Sequence, residues 1–108
     1  MDISLAGWDM HDIEEIPWSP WGSSGQARAK VLGSADGYFV SLIEAESGYR
    51  GEPHSHEHAE FFFLVEGSLR NQGRELKAGA GYAAAAGSTH ADFEVGEGGA
   101  RYISIFKL

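Results

Sequence analysis

From residue 27 to its end the chain is a succession of short apolar or alternating runs broken by glycine, and no helical periodicity competes with them. The expected strands are Ala27–Leu32, Tyr38–Glu46, Pro53–His58, Glu60–Val65, Ser68–Asn71, Glu75–Lys77, Gly81–Ala84, Ala91–Val95 and Arg101–Lys107. Turn signals at Gly33 to Gly37, Ser47-Gly48, Glu66-Gly67, Gln72-Gly73, Gly79 to Gly81 and Gly96 to Gly99 separate them at near-regular intervals. That spacing predicts an all-β fold, an antiparallel sandwich or barrel. The stretch Val65–Leu76, with Asn71-Gln72-Gly73 at its middle, predicts a tight hairpin.

Residues 1–26 follow neither period and hold all three tryptophans and two of the three prolines, so they are expected to form an irregular arm beside a barrel domain of residues 27–108. Trp8, Ile13, Ile16, Trp18 and Trp21 are too apolar for a free tail. They are expected to lie against the domain or a second subunit, or to line the mouth of a pocket. A chain of 108 residues suits one domain. With no cysteine, disulfides, thiolate metal sites and cysteine nucleophiles are excluded.

A formal net charge of −8, with the eight Lys and Arg scattered, argues against a nucleic-acid surface. The acidic N-terminal residues lack the basic end of a signal peptide, and no apolar run approaches the roughly 20 residues needed to span a bilayer. A cytoplasmic protein with no membrane partner is the resulting expectation.

Four of the five histidines concentrate function in two places: His54, His56 and His58 alternate up to Glu60, and His90 follows thirty residues later. A strand sends alternate side chains to one face, so 54, 56, 58 and 60 would point together. Neutral imidazoles with a carboxylate suit a divalent transition metal and leave positions open for water or substrate. The fifth histidine, His11, stands alone in the acidic arm.

The offsets Gly48-x5-His54-x-His56-x3-Glu60-x6-Gly67 resemble the first motif of the cupin superfamily at every specified position. Gly79, Gly87 and His90 match its second motif, whereas Ala85 and Glu94 stand where that motif has proline and asparagine. The resemblance implies an antiparallel jelly-roll barrel with a metal in its mouth, held by His54, His56, Glu60 and His90. Fe2+ is the favoured ion, with Zn2+, Mn2+, Ni2+ and Cu2+ as alternatives. His58 could replace a ligand, act as acid or base, or leave the face through a bulge.

Parity from Glu60 points Phe62 and Leu64 into the cavity and Phe61 and Phe63 away from it. Parity from His90 adds Asp92 and Glu94, acids that could serve as base or orient a ligand imidazole. Either set of the last strand, Tyr102 and Ser104 or Ile103 and Ile105, could face inward. The candidate acid and base residues are therefore His58 and Glu94, and the candidate pocket residues Phe62, Leu64, Asp92 and Tyr102.

Such a site suits a metal-dependent enzyme, a dioxygenase or lyase acting on a small chelating organic molecule. The alternatives are a ligand-sensing or metal-stabilised module and a sugar isomerase or epimerase, since one fold hosts many functions. The runs Trp18–Trp21 and Tyr49–His56 are loosely similar to cupins allied with diketone-cleaving dioxygenases and to the zinc-binding domain of some anti-sigma factors. A homodimer is expected from the apolar arm and the outward phenylalanines.

Overall fold

A computed structural model describes residues 2–108. Its strands are β1 (Ser19–Pro20), β2 (Ala27–Ala35), β3 (Tyr38–Ala45), β4 (His54–Ser55), β5 (Glu60–Asn71), β6 (Arg74–Lys77), β7 (Gly81–Ala84), β8 (Thr89–His90) and β9 (Phe93–Lys107). All pairings are antiparallel. The main sheet runs β1-β2-β3-β9-β5-β6 with β7 also on β5, and β4 and β8 form a separate ribbon. The fold is the all-β antiparallel jelly roll that the glycine-punctuated pattern implies.

Two expected boundaries are absent. Glu60–Val65 and Ser68–Asn71 are one strand, as are Ala91–Val95 (from Phe93) and Arg101–Lys107. The glycines between them act as bulges that bend continuous strands. Gly67 pairs with Ala100 and Leu69 with Val95, leaving Ser68 alone opposite residues 96–99. Gly67, Gly98 and Gly99 take φ of 85°, 90° and 83°, which side-chain-bearing residues rarely adopt. By contrast, Gln72 and Gly73, both at positive φ (51° and 74°), form the expected two-residue turn between Asn71 and Arg74.

Alternation then sets the core. Phe62 and Leu64 of β5 turn inward at 6% and 0% exposure while Phe61 and Phe63 remain 46% and 49% exposed. On β9, Tyr102 and Ser104 are the buried set, which decides between the two faces that the sequence leaves open. Ile43, Leu64, Leu69 and Val95 are the largest fully buried apolar side chains and join Phe62, Phe93 and Tyr102 in one cluster. The N-terminal residues lie along β2: the Asp9 carboxylate accepts from the Ser34 amide at 2.8 Å, Lys30 Nζ donates to the Ile13 carbonyl at 2.8 Å, and Arg28 stacks over Trp18. Among the described residues no helix is long and apolar enough to cross a membrane.

Candidate metal centre

The β4–β8 ribbon sets His54 directly opposite His90 and Ser55 opposite Thr89. Beyond Ser55 the chain leaves the ladder, yet His56 stays tied to the neighbouring loop, its amide donating to the Ser88 carbonyl at 2.8 Å. The three imidazole centroids stand 4.8, 5.2 and 5.6 Å apart, and one nitrogen from each lies within 4.8 Å of the others. His54 Nδ1 lies 2.8 Å from the Glu52 carbonyl, which can only accept, so Nδ1 carries the proton and Nε2 keeps its lone pair. His56 Nδ1 meets Ser88 Oγ at 2.9 Å, a contact that turns Nε2 toward Glu60. Glu60 Oε1 accepts from Ser104 Oγ at 3.1 Å, and its Oε2 comes within 3.1 Å of His56 Nε2.

These groups fit a cation. His56 Nε2, His90 Nε2 and Glu60 Oε2 are buried without a hydrogen-bond partner, and an unsatisfied buried polar group costs about 1–3 kcal/mol. One divalent ion among the histidines would satisfy the two imidazole nitrogens, and Glu60 stands beside them next to His56. Burial pushes the His90 imidazole below the ordinary histidine range; Glu60 opposes that shift, and His54 and His56 add to it. The neutral, coordinating form is thereby favoured.

The histidines open onto a cavity of about 630 Å³. Its wall is aromatic, with Phe62 stacked on Tyr82 at 4.6 Å, Phe93 edge-on to His90 at 5.4 Å, and Trp21 against Phe106 at 5.5 Å. Burial raises the Tyr82 and Tyr102 phenols above their ordinary value, so both remain protonated donors. Tyr82 Oη is buried and unpartnered. Lys107 is the one Lys or Arg in the lining among the described residues, against Glu52, Glu57 and Glu60.

Of the residues expected at the site, His54, His56 and His90 come together, and Glu60 adjoins the group through His56. His58 is half-buried in the bend that follows His56, and it lines the cavity with Phe62 and Tyr102. Leu64 points the same way but lies in the core beneath the cavity.

Asp92 and Glu94 are not in the lining, so the parity argument from His90 fails. β8 ends at His90 and β9 begins at Phe93; the two residues between belong to no strand, and Phe93 takes the cavity side. Asp92 is instead gripped by Arg70 at 2.8 and 3.0 Å, a contact that with the Gly73 amide holds its carboxyl below the usual range. Glu94 pairs with Arg50 at 2.5 Å. Spacing and alternation in the sequence do not single out Tyr49, Tyr82, Phe93 or Ser88, whereas Ser104 belongs to the inward set left open on the last strand. Tyr82 was recoverable in principle, because it pairs across from Phe62.

A jelly roll that gathers histidines from two separated segments at an open cavity defines a cupin. More narrowly, the chain belongs to the ChrR cupin-like domain family, whose model matches residues 8–104. Solved structures agree on the fold. A candidate acetylacetone dioxygenase from Methylibium petroleiphilum PM1 is 18% identical, with TM-score 0.84 over 99% of this chain and 81% of its own. An RmlC-like cupin from Shewanella frigidimarina is 22% identical, with TM-score 0.77 over 91% and 88%. A chain of the Rhodobacter sphaeroides SigE complex with the anti-sigma ChrR is 18% identical, with TM-score 0.74 over 89% of this chain and 52% of that one. No curated protein matches the sequence.

Proposed function

We propose that this protein is a metal-dependent cupin enzyme, a dioxygenase or lyase for a small, largely apolar chelating molecule. The observation that carries this reading is the set of unpartnered ligand atoms on His56, His90 and Glu60, facing an aromatic cavity. His54, His56, His90 and Glu60 would hold the ion, with Fe2+ favoured and Zn2+, Mn2+, Ni2+ or Cu2+ as alternatives. Once bound, it would supply Lewis acidity and, as iron, a place for oxygen to meet substrate.

The protein's own residues do the rest. Ser88, Ser104 and the Glu52 carbonyl fix the ligand side chains. Phe62, Phe93 and Phe106 exclude water. Tyr82 would contribute its ring to the cavity wall, and His58 in the same lining would exchange a proton with substrate. Protein reconstituted with Fe2+ should consume oxygen or turn over a β-diketone, hydroxy acid or catechol. Inactivity across all three classes would refute the enzyme reading.

The family match favours a second reading, a ligand-sensing module in which the ion maintains the fold. Metal removal separates the two: a sensor of that kind unfolds without its ion, whereas the enzyme stays folded and loses activity. In either case we propose a cytoplasmic homodimer. Phe61, Phe63 and Val65 are 46%, 49% and 38% exposed on one sheet face, which a second copy would cover. Sedimentation at micromolar concentration should show a dimer that Phe61→Ser/Phe63→Ser converts to monomer. A monomeric wild type would contradict it.

A further inference from the structure

The ribbon that supplies His54 and His90 shares no ladder with the main sheet among the described residues. Its β8 side is held instead by the tip of the β5–β6 hairpin. The Gln72 amide donates to the Asp92 carbonyl at 2.8 Å. The Gln72 side chain accepts from the amides of Ala91 and Asp92 at 2.7 and 3.2 Å and donates from Nε2 to the Thr89 carbonyl at 3.1 Å. Arg70 grips the Asp92 carboxylate through Nε and Nη2, and the Gly73 amide donates to the same group at 3.0 Å. Residues 89, 91 and 92 are thus all fixed, and His90 sits between them.

We propose that Gln72, with Arg70 and Asp92 behind it, is a positioning clamp that fixes His90 and thereby sets the affinity of the metal centre. The inference rests on the metal reading above. None of the three residues lines the cavity, so the clamp acts only through the ligand segment. The turn itself argues for a role beyond the hairpin. Gln72 stands at φ 51°, where asparagine or glycine is the favoured residue of such a two-residue turn. The hairpin alone would gain from either replacement, whereas only the longer amide spans Thr89, Ala91 and Asp92 at once. The clamp also grips the segment between Ala85 and Glu94, the two positions where the chain departs from the second cupin motif.

The test is cobalt titration of full-length wild type, Gln72→Gly and Gln72→Asn, read by the Co2+ visible band and by chelator competition, beside thermal unfolding of the metal-free proteins. Both variants keep a turn-compatible residue, which offsets much of the loss of the Gln72 side-chain hydrogen bonds, so the metal-free proteins should stay folded and unfold close to the wild-type temperature. The cobalt Kd should rise about 10- to 100-fold, the usual effect of losing a partner that orients a ligand. A role confined to the hairpin predicts an unchanged cobalt Kd. Wild-type binding with both variants within twofold of it would overturn the clamp alone. A wild type that binds no cobalt would overturn the metal centre and the clamp together.

Discussion

Replacing His56 with alanine is expected to leave a folded barrel that has lost nearly all of its metal. The side chain contributes one of three imidazoles and is itself oriented by Ser88 Oγ. Deleting a ligand must cost more than the roughly 100-fold that deleting an orienting partner costs. The fold should hardly notice, because His56 lies outside the buried apolar cluster and its one modest side-chain hydrogen bond is worth about 1 kcal/mol. His90→Ala should behave alike. Elemental analysis of untagged protein and circular dichroism provide the two readouts. Stoichiometric metal retained in both variants would discredit the ligand assignment.

The largest loss of stability is expected from Gly67→Ala. At φ 85° an added Cβ would sit 2.0 Å from the Gly99 carbonyl oxygen and 2.9 Å from Ala100 Cα. Both obstacles are backbone, so no side-chain rotation relieves them. The left-handed conformation alone costs on the order of 1–3 kcal/mol, and separating β5 from β9 at the bulge adds to it. A total above about 3 kcal/mol is a large share of the 5–15 kcal/mol that typically holds a domain together. The melting temperature should then fall on the order of 15 °C. Gly79→Ala is the control, with φ 96° and nothing within 4 Å of the added Cβ. It should cost only the conformational part. Equal losses in the two variants would remove the close-approach argument.

The same glycine shows what the sequence could and could not convey. Gly67 was legible as a break in a strand pattern, and its conformation agrees. Whether the chain reverses there or bends and continues depends on what lies across from it, and Gly99 is thirty-two residues away. The Gln72-Gly73 turn was legible because a two-residue reversal is a local event. The histidine cluster was legible because fixed spacing on two short segments survives irregular backbone between them, including the bend at Glu57 and His58. Asp92 and Glu94 were misplaced by extrapolating alternation across a gap that only tertiary structure reveals. The aromatic wall was hidden for a related reason: Tyr49, Tyr82 and Phe93 meet only once three loops have closed.

The candidate histidine cluster and the apolar core are built from different residues here. Ile43, Leu64, Leu69 and Val95 hold the barrel, while His54 and His90 ride on a ribbon outside its main ladder and His56 on the loop that follows. Substitution can therefore retune, exchange or abolish the chemistry at the mouth without eroding the scaffold beneath.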